Sequence, residues 1–300
     1  MRKACQKVDG LNTEKRALSR ALKNMELRFL TRDAEVVYRR KDEVTHYDLM
    51  GLIDGTIAVL YIHDLISDRV CDLVCKGVDI EKMRGYNVLP EFLKGHGSMP
   101  LYEGKADMEG WYKWANSSHN PSYGDSHDIE WPSSTMRRFF DNTFANGACL
   151  ARVEGNGRAA PYGMIRGMKG GGKTGVFTHS DSMTLDHPNL PFFNYAKAAL
   201  SMVIGLNAAG PGAETSIYPI EITNTDDYNS LTNDFGGIEE RYLPPPQATV
   251  KVGKSDAIIF NSNMLHNVSP LLTPGDVRLT ISGFAVYFED GRKTPLALFS

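Results

Sequence analysis

Residues 249–288 read TVKVGKSDAIIFNSNMLHNVSPLLTPGDVRLTISGFAVYF. Three runs of β-branched and apolar residues stand in this stretch, Thr249 to Val252, Ala257 to Phe260 and Arg278 to Phe288, separated by Gly, Pro and Asn. Short strands parted by turns predict a sandwich or a barrel. Gly175 to His179 and Leu200 to Leu206 extend the pattern upstream. Pro244-Pro245-Pro246 reads as a loop between strands, since prolines in a row cannot serve a sheet interior. The first half has a different character. Asp64 to Lys76 carries a helical apolar stripe behind Ser67, a cap residue. Leu18, Leu22, Met25 and Phe29 also repeat at helical spacing and predict a solvated amphipathic helix. The expected fold is mainly β with a helical layer. One domain spans 1–300, with a helix-rich part and long loops over 1–145 and the β core over 146–300.

Composition bounds the function. Of 300 residues 42% are hydrophobic and 23% charged, enough apolar surface for a sizeable core. A net charge of −3 argues against a whole-protein nucleic-acid footprint. The longest apolar runs are short; Ala198 to Leu206, for example, is broken by Ser201 and Gly205, and none approaches a membrane span of ~20 residues. Four cysteines, no zinc spacing and no apolar leader predict a reducing, cytoplasmic setting. Cys71 and Cys75, four apart, read as structural thiols on one helix face. Residues 1–40 carry 11 basic and 5 acidic side chains, and the acidic ones argue against a transit peptide. Homodimerisation stays open.

Two stretches invite specific readings. Residues 96–135 are rich in Gly, Ser, Asn, Pro and aromatics, a composition that suits a binding loop or aromatic surface packing. Tyr123 and Trp131 are its candidates for closing over a site. Gly167 to Thr174 reads GMKGGGKT and matches the phosphate-loop pattern. That mechanism needs a helix after the loop, yet a β-like run and then Pro188 and Pro191 follow. The stretch is therefore expected to be a Gly-rich hairpin, with Lys173 and Thr174 catalytically silent.

The informative motif is Phe177-Thr178-His179-Ser180-Asp181. In an extended chain residues i and i+2 share a face, so an imidazole and a carboxylate point to one place. His266, 87 residues on, is the candidate third ligand, just after the Ala257 to Phe260 run. Two histidines and one carboxylate leave open positions on a metal, the arrangement of non-haem Fe(II) oxygenases. Arg278 begins the last long strand, where period two puts Arg278, Thr280 and Ser282 on one face. An inward arginine needs an anion, because an unpaired buried charge is costly. A dicarboxylate supplies one through a bidentate pair. His46-Tyr47-Asp48 is a second His-x-Asp, but it lies in a charged segment and reads as a surface turn. The ordered set His-x-Asp, strand, His, Arg-x-Thr is far more specific than any of its parts.

This set resembles the Fe(II)/2-oxoglutarate-dependent dioxygenases. The likeness is nearest to N-substituted L-amino acid β-hydroxylases, over GGIEERYLPPPQATVKVGKSDAIIFNSNMLHNVSP, DVRLTISGFAVYF, the terminal TPLALFS and Asp226 to Leu231. Kainoid-type synthases and carrier-independent alkaloid halogenases are similar over the same part. The likeness covers about residues 145–300 and implies a double-stranded β-helix, a cupin-like jelly roll. It implies that His179, Asp181 and His266 bind Fe(II), and that Arg278 with Thr280 binds the distal carboxylate of 2-oxoglutarate. The implied reaction consumes O2 and 2-oxoglutarate, releases succinate and CO2, and oxidises an unactivated C–H bond of a free small molecule. Hydroxylation and radical ring closure are both open. The halogenases have Gly where this chain has Asp181, so halogenation is not expected. Arg166 and Arg241 are further candidates for substrate contact. A noncatalytic cupin-like binding protein is the alternative from another class, and it would lack a ligand or Arg278.

Overall fold

Alternation along one long strand organises the molecule. The structure, a computed structural model, describes residues 27–28, 34–85, 93–96, 130–153, 158–172, 175–187, 190–232, 237–240, 243–289 and 294–300. In chain order the strands are β1 Leu27–Arg28, β2 Glu35–Arg40, β3 Ile57–His63, β4 Arg84–Gly85, β5 Leu93–His96, β6 Ala148–Leu150, β7 Met164–Lys169 and β8 Val176–His179. They continue as β9 Ala196–Gly205, β10 Thr215–Ile222, β11 Ala248–Val250, β12 Ala257–Asn261, β13 Met264–Val268, β14 Val277–Phe288 and β15 Leu296–Phe299. The helices are α1 His46–Asp54, α2 Asp68–Gly77, α3 Pro132–Thr143, α4 Met183–Asp186 and α5 Thr225–Leu231.

Two sheets face each other. The larger runs β2-β3-β12-β9-β14-β7-β5-β4, with β15 also on β14 and β6 on β15. The smaller runs β1-β10-β13-β8, with β11 also on β10. From β7 onward the chain visits the larger, smaller, larger, smaller, smaller, larger, smaller and larger sheet, and the pairings among these eight strands are antiparallel. That weave is a jelly roll.

Period two then sorts the side chains. Leu279, Ile281 and Ala285 of β14 join Leu200, Met202 and Ile204 of β9 in a core that also holds Leu49 and Leu52 of α1, Cys71 and Val74 of α2, and Met136 and Phe140 of α3. α1, α2 and α3 therefore cover the outer face of the larger sheet. Arg278, Thr280, Ser282 and Phe284 take the inner face. Ile258 and Phe260 of β12 meet Ile217 of β10 and Met264 of β13 between the sheets.

Several expectations hold and others are corrected. α2 is capped by Ser67, whose hydroxyl accepts from Val70 N–H. Cys71 and Cys75 share its inward face, with Sγ on the carbonyls of Gly205 and Leu206. The first half is not simply helical, since it adds β2 to β5 to the larger sheet. Leu27–Arg28 are extended and pair with Ile222 and Glu221, so the expected amphipathic helix does not reach them. The rest of that helix lies outside the described residues. His46-Tyr47-Asp48 is the first turn of α1, not a surface turn. Thr45 caps it, and Asp48 returns a hydrogen bond to Thr45 N–H and pairs with Arg39. The Gly-rich stretch is β7 followed by a turn that crosses to the other sheet, rather than a hairpin. Lys173 and Thr174 lie outside the described residues. Among the described residues no helix is long and apolar enough to cross a membrane.

Candidate metal centre

β8 and β13 lie side by side in the smaller sheet with His179 opposite His266. The sequence reading placed His266 after a strand; it sits inside one. The polar NSNMLHNVSP hides β13 because its outward residues are Asn267 and Leu265, under a covering segment. With the two histidines in register, their rings are 4.3 Å apart between centroids. Asp181 follows β8 directly and turns back to both. Its Oδ1 lies 3.5 Å from His179 Nε2 and its Oδ2 3.4 Å from His266 Nε2. The ligand atoms of the three residues lie within 4.8 Å of one another.

Local bonds fix this arrangement. His179 Nδ1 lies 2.7 Å from the Phe177 carbonyl and His266 Nδ1 2.9 Å from the Met264 carbonyl. A carbonyl only accepts, so each Nδ1 carries the hydrogen and each Nε2 turns its lone pair to the centre. Asp181 N–H donates to the Ser262 carbonyl at 2.8 Å, and Ser180 Oγ–H to the Asn263 carbonyl at 2.9 Å. The turn between β12 and β13 thus holds the carboxylate end. Phe260 packs edge-on to the His266 ring at 4.9 Å.

The electrostatics match. Burial, the neighbouring His266 and Arg166 push the His179 pKa down to about 4 against the pull of Asp181, so the ring is neutral near pH 7. Burial alone would raise the Asp181 pKa, but His179, His266 and Arg166 hold the carboxyl well below the usual range. The neutral His179 ring, the His266 ring and the Asp181 carboxylate thus turn Nε2, Nε2 and two oxygens toward one point. Such a donor set repels itself unless a cation sits among the three, and N/O donors of this kind suit a divalent transition ion. The residues present fit the metal that the sequence implies.

Across the barrel lies a cationic and hydroxyl row. Arg278 on β14 is half-buried, and burial with the charge of Arg166 pushes its pKa down to about 10. Thr280 is 1% exposed and pairs in register with Arg166 of β7, so the two guanidinium side chains start from the same inner face. Ser282 Oγ, next in the row, is buried without a hydrogen-bond partner among the described residues. An orphaned buried hydroxyl on the same face as two arginines fits a polar, anionic ligand between the sheets.

The other candidates fall elsewhere. Trp131 is the N-cap residue of α3 and packs against the helix-side core, on the opposite face of the larger sheet from the triad. Its expected role in closing over the site is corrected, because its indole is taken up by that core. Tyr123 and Arg241 lie outside the described residues. The carbonyls of Phe177 and Met264 and the hydroxyl of Ser180 were missed in the sequence, where backbone partners leave no motif.

Neither a protein-family model nor a curated protein sequence matches the chain. Among solved structures it is similar to an N-substituted L-amino acid dioxygenase from Burkholderia ambifaria AMMD, at 13% identity, over 85% of this chain and 91% of that one, with a TM-score of 0.56. It is similar over the same shares, at 13% identity and a TM-score of 0.54, to an N-substituted L-amino acid dioxygenase from that organism in complex with alpha-KG. At this identity the likeness is one of fold.

Proposed function

We propose that this chain is an Fe(II)/2-oxoglutarate-dependent oxygenase that oxidises an unactivated C–H bond of a free small molecule, an N-substituted amino acid. The observation that carries the reading is the convergence of His179 Nε2, His266 Nε2 and the Asp181 carboxylate inside a jelly roll, opposite Arg278. The fold shared with an N-substituted L-amino acid dioxygenase supports it.

His179, Asp181 and His266 would hold the iron. Bound there with 2-oxoglutarate, iron supplies the O2 chemistry that converts the 2-oxo acid to succinate and CO2 and oxidises the substrate. The protein's part is binding, orientation and exclusion of water. Arg278 would fork onto the distal carboxylate of 2-oxoglutarate, with Thr280 and Ser282 donating beside it. Arg166, on the same inner face and near enough to act on Asp181, would take the carboxylate of the substrate. Asp181 fills the position that a halide needs, which speaks against a halogenase. The complete ligand set with Arg278 speaks against a noncatalytic binding protein. Hydroxylation and ring closure both fit an N-substituted amino acid held here.

The test is succinate formation from 2-oxoglutarate with a panel of N-succinyl, N-acyl and N-prenyl amino acids, with mass analysis of the products. A substrate should stimulate succinate formation and gain one oxygen or lose two hydrogens. His266→Ala should remove most of the turnover. Wild-type-like turnover in that variant would point to another third ligand.

A further inference from the structure

β8 carries His179 and leads straight into Asp181, yet it is the edge of its sheet, paired on one side with β13. A four-residue edge strand is a weak support for two metal ligands. The segment between β10 and β11 supplies what β13 cannot. Ile238 N–H donates to the Thr178 carbonyl at 2.7 Å, a bridge on the free edge of β8. Gly237 makes the approach close enough: a Cβ there would lie 2.3 Å from Phe177 Cβ. Phe177 is the residue whose carbonyl receives His179 Nδ1–H.

The same segment meets the ligand-bearing strands at two more points, Asn267 of β13 and Ser180 just past β8. Behind the histidines, on the outer face of the sheet, Asn267 Nδ2 lies 2.7 Å from Glu240 Oε1, 3.0 Å from Tyr218 Oη and 3.2 Å from Thr178 Oγ1. Asn267 and Thr178 are buried and adjoin His266 and His179 in sequence. One carboxylate from the covering segment thus holds Asn267, and Asn267 ties together the two strands that bear the histidines. At the far end, Tyr228 Oη of α5 accepts from Ser180 N–H at 3.3 Å, between His179 and Asp181.

We infer that the described parts of this segment, α5 and residues 237–240, form a clamp that positions the metal ligands, with Tyr228, Gly237 and Glu240 as positioning residues. They act through Phe177, Thr178, Ser180 and Asn267 on the direction of His179, Asp181 and His266. The inference rests on the metal-site reading above.

The probe is Co(II) alone, titrated anaerobically into purified protein and followed by calorimetry and visible absorption. Glu240→Ala and Tyr228→Phe should each weaken Co(II) binding by about 10-fold, the lower range for partners that orient metal ligands. Glu240→Gln keeps an acceptor oxygen for Asn267 and should stay within about 3-fold of wild type, since the lost charge leaves a neutral hydrogen bond. Amide exchange at Thr178, Ser180 and Ile238 should speed up in the two weakened variants, while the amides of β9 and β14 keep their protection. Equal Co(II) affinity in wild type and both variants would overturn the clamp and leave the metal site standing. Loss of protection throughout β9 and β14 would also overturn it, because the residues would then support the whole fold. Failure of the wild type to bind Co(II) would overturn the metal reading itself.

Discussion

Arg278 and His179 show how burial shapes the chemistry of single side chains. Arg278 stays cationic near neutral pH although burial lowers its pKa to about 10, and in the proposed reading that charge meets the distal carboxylate of 2-oxoglutarate. A charge-assisted hydrogen bond is worth roughly 1.5–3 kcal/mol, or about 10- to 150-fold in affinity. Arg278→Gln keeps some hydrogen bonding but loses the charge and the fork. The apparent KM for 2-oxoglutarate should rise by that factor with little change in metal affinity; an unchanged KM would pass the role to Arg166. The thiols give a second residue-level expectation. Burial pushes the Cys71 pKa up to about 11, and burial with Asp72 raises that of Cys75. Both are protonated near pH 7, whereas Cys149 is exposed. Iodoacetamide with peptide mapping should therefore modify Cys149 in the native protein and reach Cys71 only on unfolding or as the pH approaches 11. Rapid native labelling of Cys71 would show that α2 does not pack as described.

Elements were legible where period and burial agree. β14 reads directly from its sequence because Leu279 and Ile281 meet helices while Arg278, Thr280 and Ser282 line the barrel, so the two faces differ in chemistry. α2 reads equally well from its stripe and from Ser67. β13 did not, since its outward Asn267 belongs to a buried polar network that mimics a loop composition. β2 and β3 were missed as strands within a half read as helical. β3 is apolar on both faces, buried between the larger sheet's neighbours, and such a run has no period to separate strand from helix. Trp131 was misplaced for a related reason: an aromatic in a Gly-rich stretch looks like a lid until the helix it caps is seen. The close packing of β14 makes its own prediction. At Gly283 a Cβ would come within 2.5 Å of the Tyr162 ring. Gly283→Ala should cost roughly 1–3 kcal/mol, as overpacked cores do. The denaturation midpoint reads this directly, and an unshifted midpoint would show that Tyr162 can yield.

At the scale of the whole molecule, the site exists only because two sheets face each other. The smaller sheet brings His179, Asp181 and His266, a set that could hold a metal ion, from β8, its trailing turn and β13, and the larger sheet brings the arginine and hydroxyl row of β7 and β14. The convergence of His179, Asp181 and His266 was legible in the sequence because the motif is sparse and ordered. The contacts that aim them were not, because carbonyls of Phe177 and Met264 and the edge cover from residues 237–240 arise only when the chain is folded. A second His-x-Asp, His46 and Asp48, is the internal control: on a helix, residues two apart diverge, and among the described residues no third ligand joins them. His46→Ala should leave metal binding unchanged. The most direct measurement is an anaerobic titration of the wild-type protein with Fe(II) and 2-oxoglutarate together, watched in the visible. Three converging donors facing Arg278 predict a weak charge-transfer band that saturates at one Fe(II) per chain and vanishes in His266→Ala. No band at saturating Fe(II), or the same band in His266→Ala, would contradict the assignment of His179, Asp181 and His266 as a single iron site.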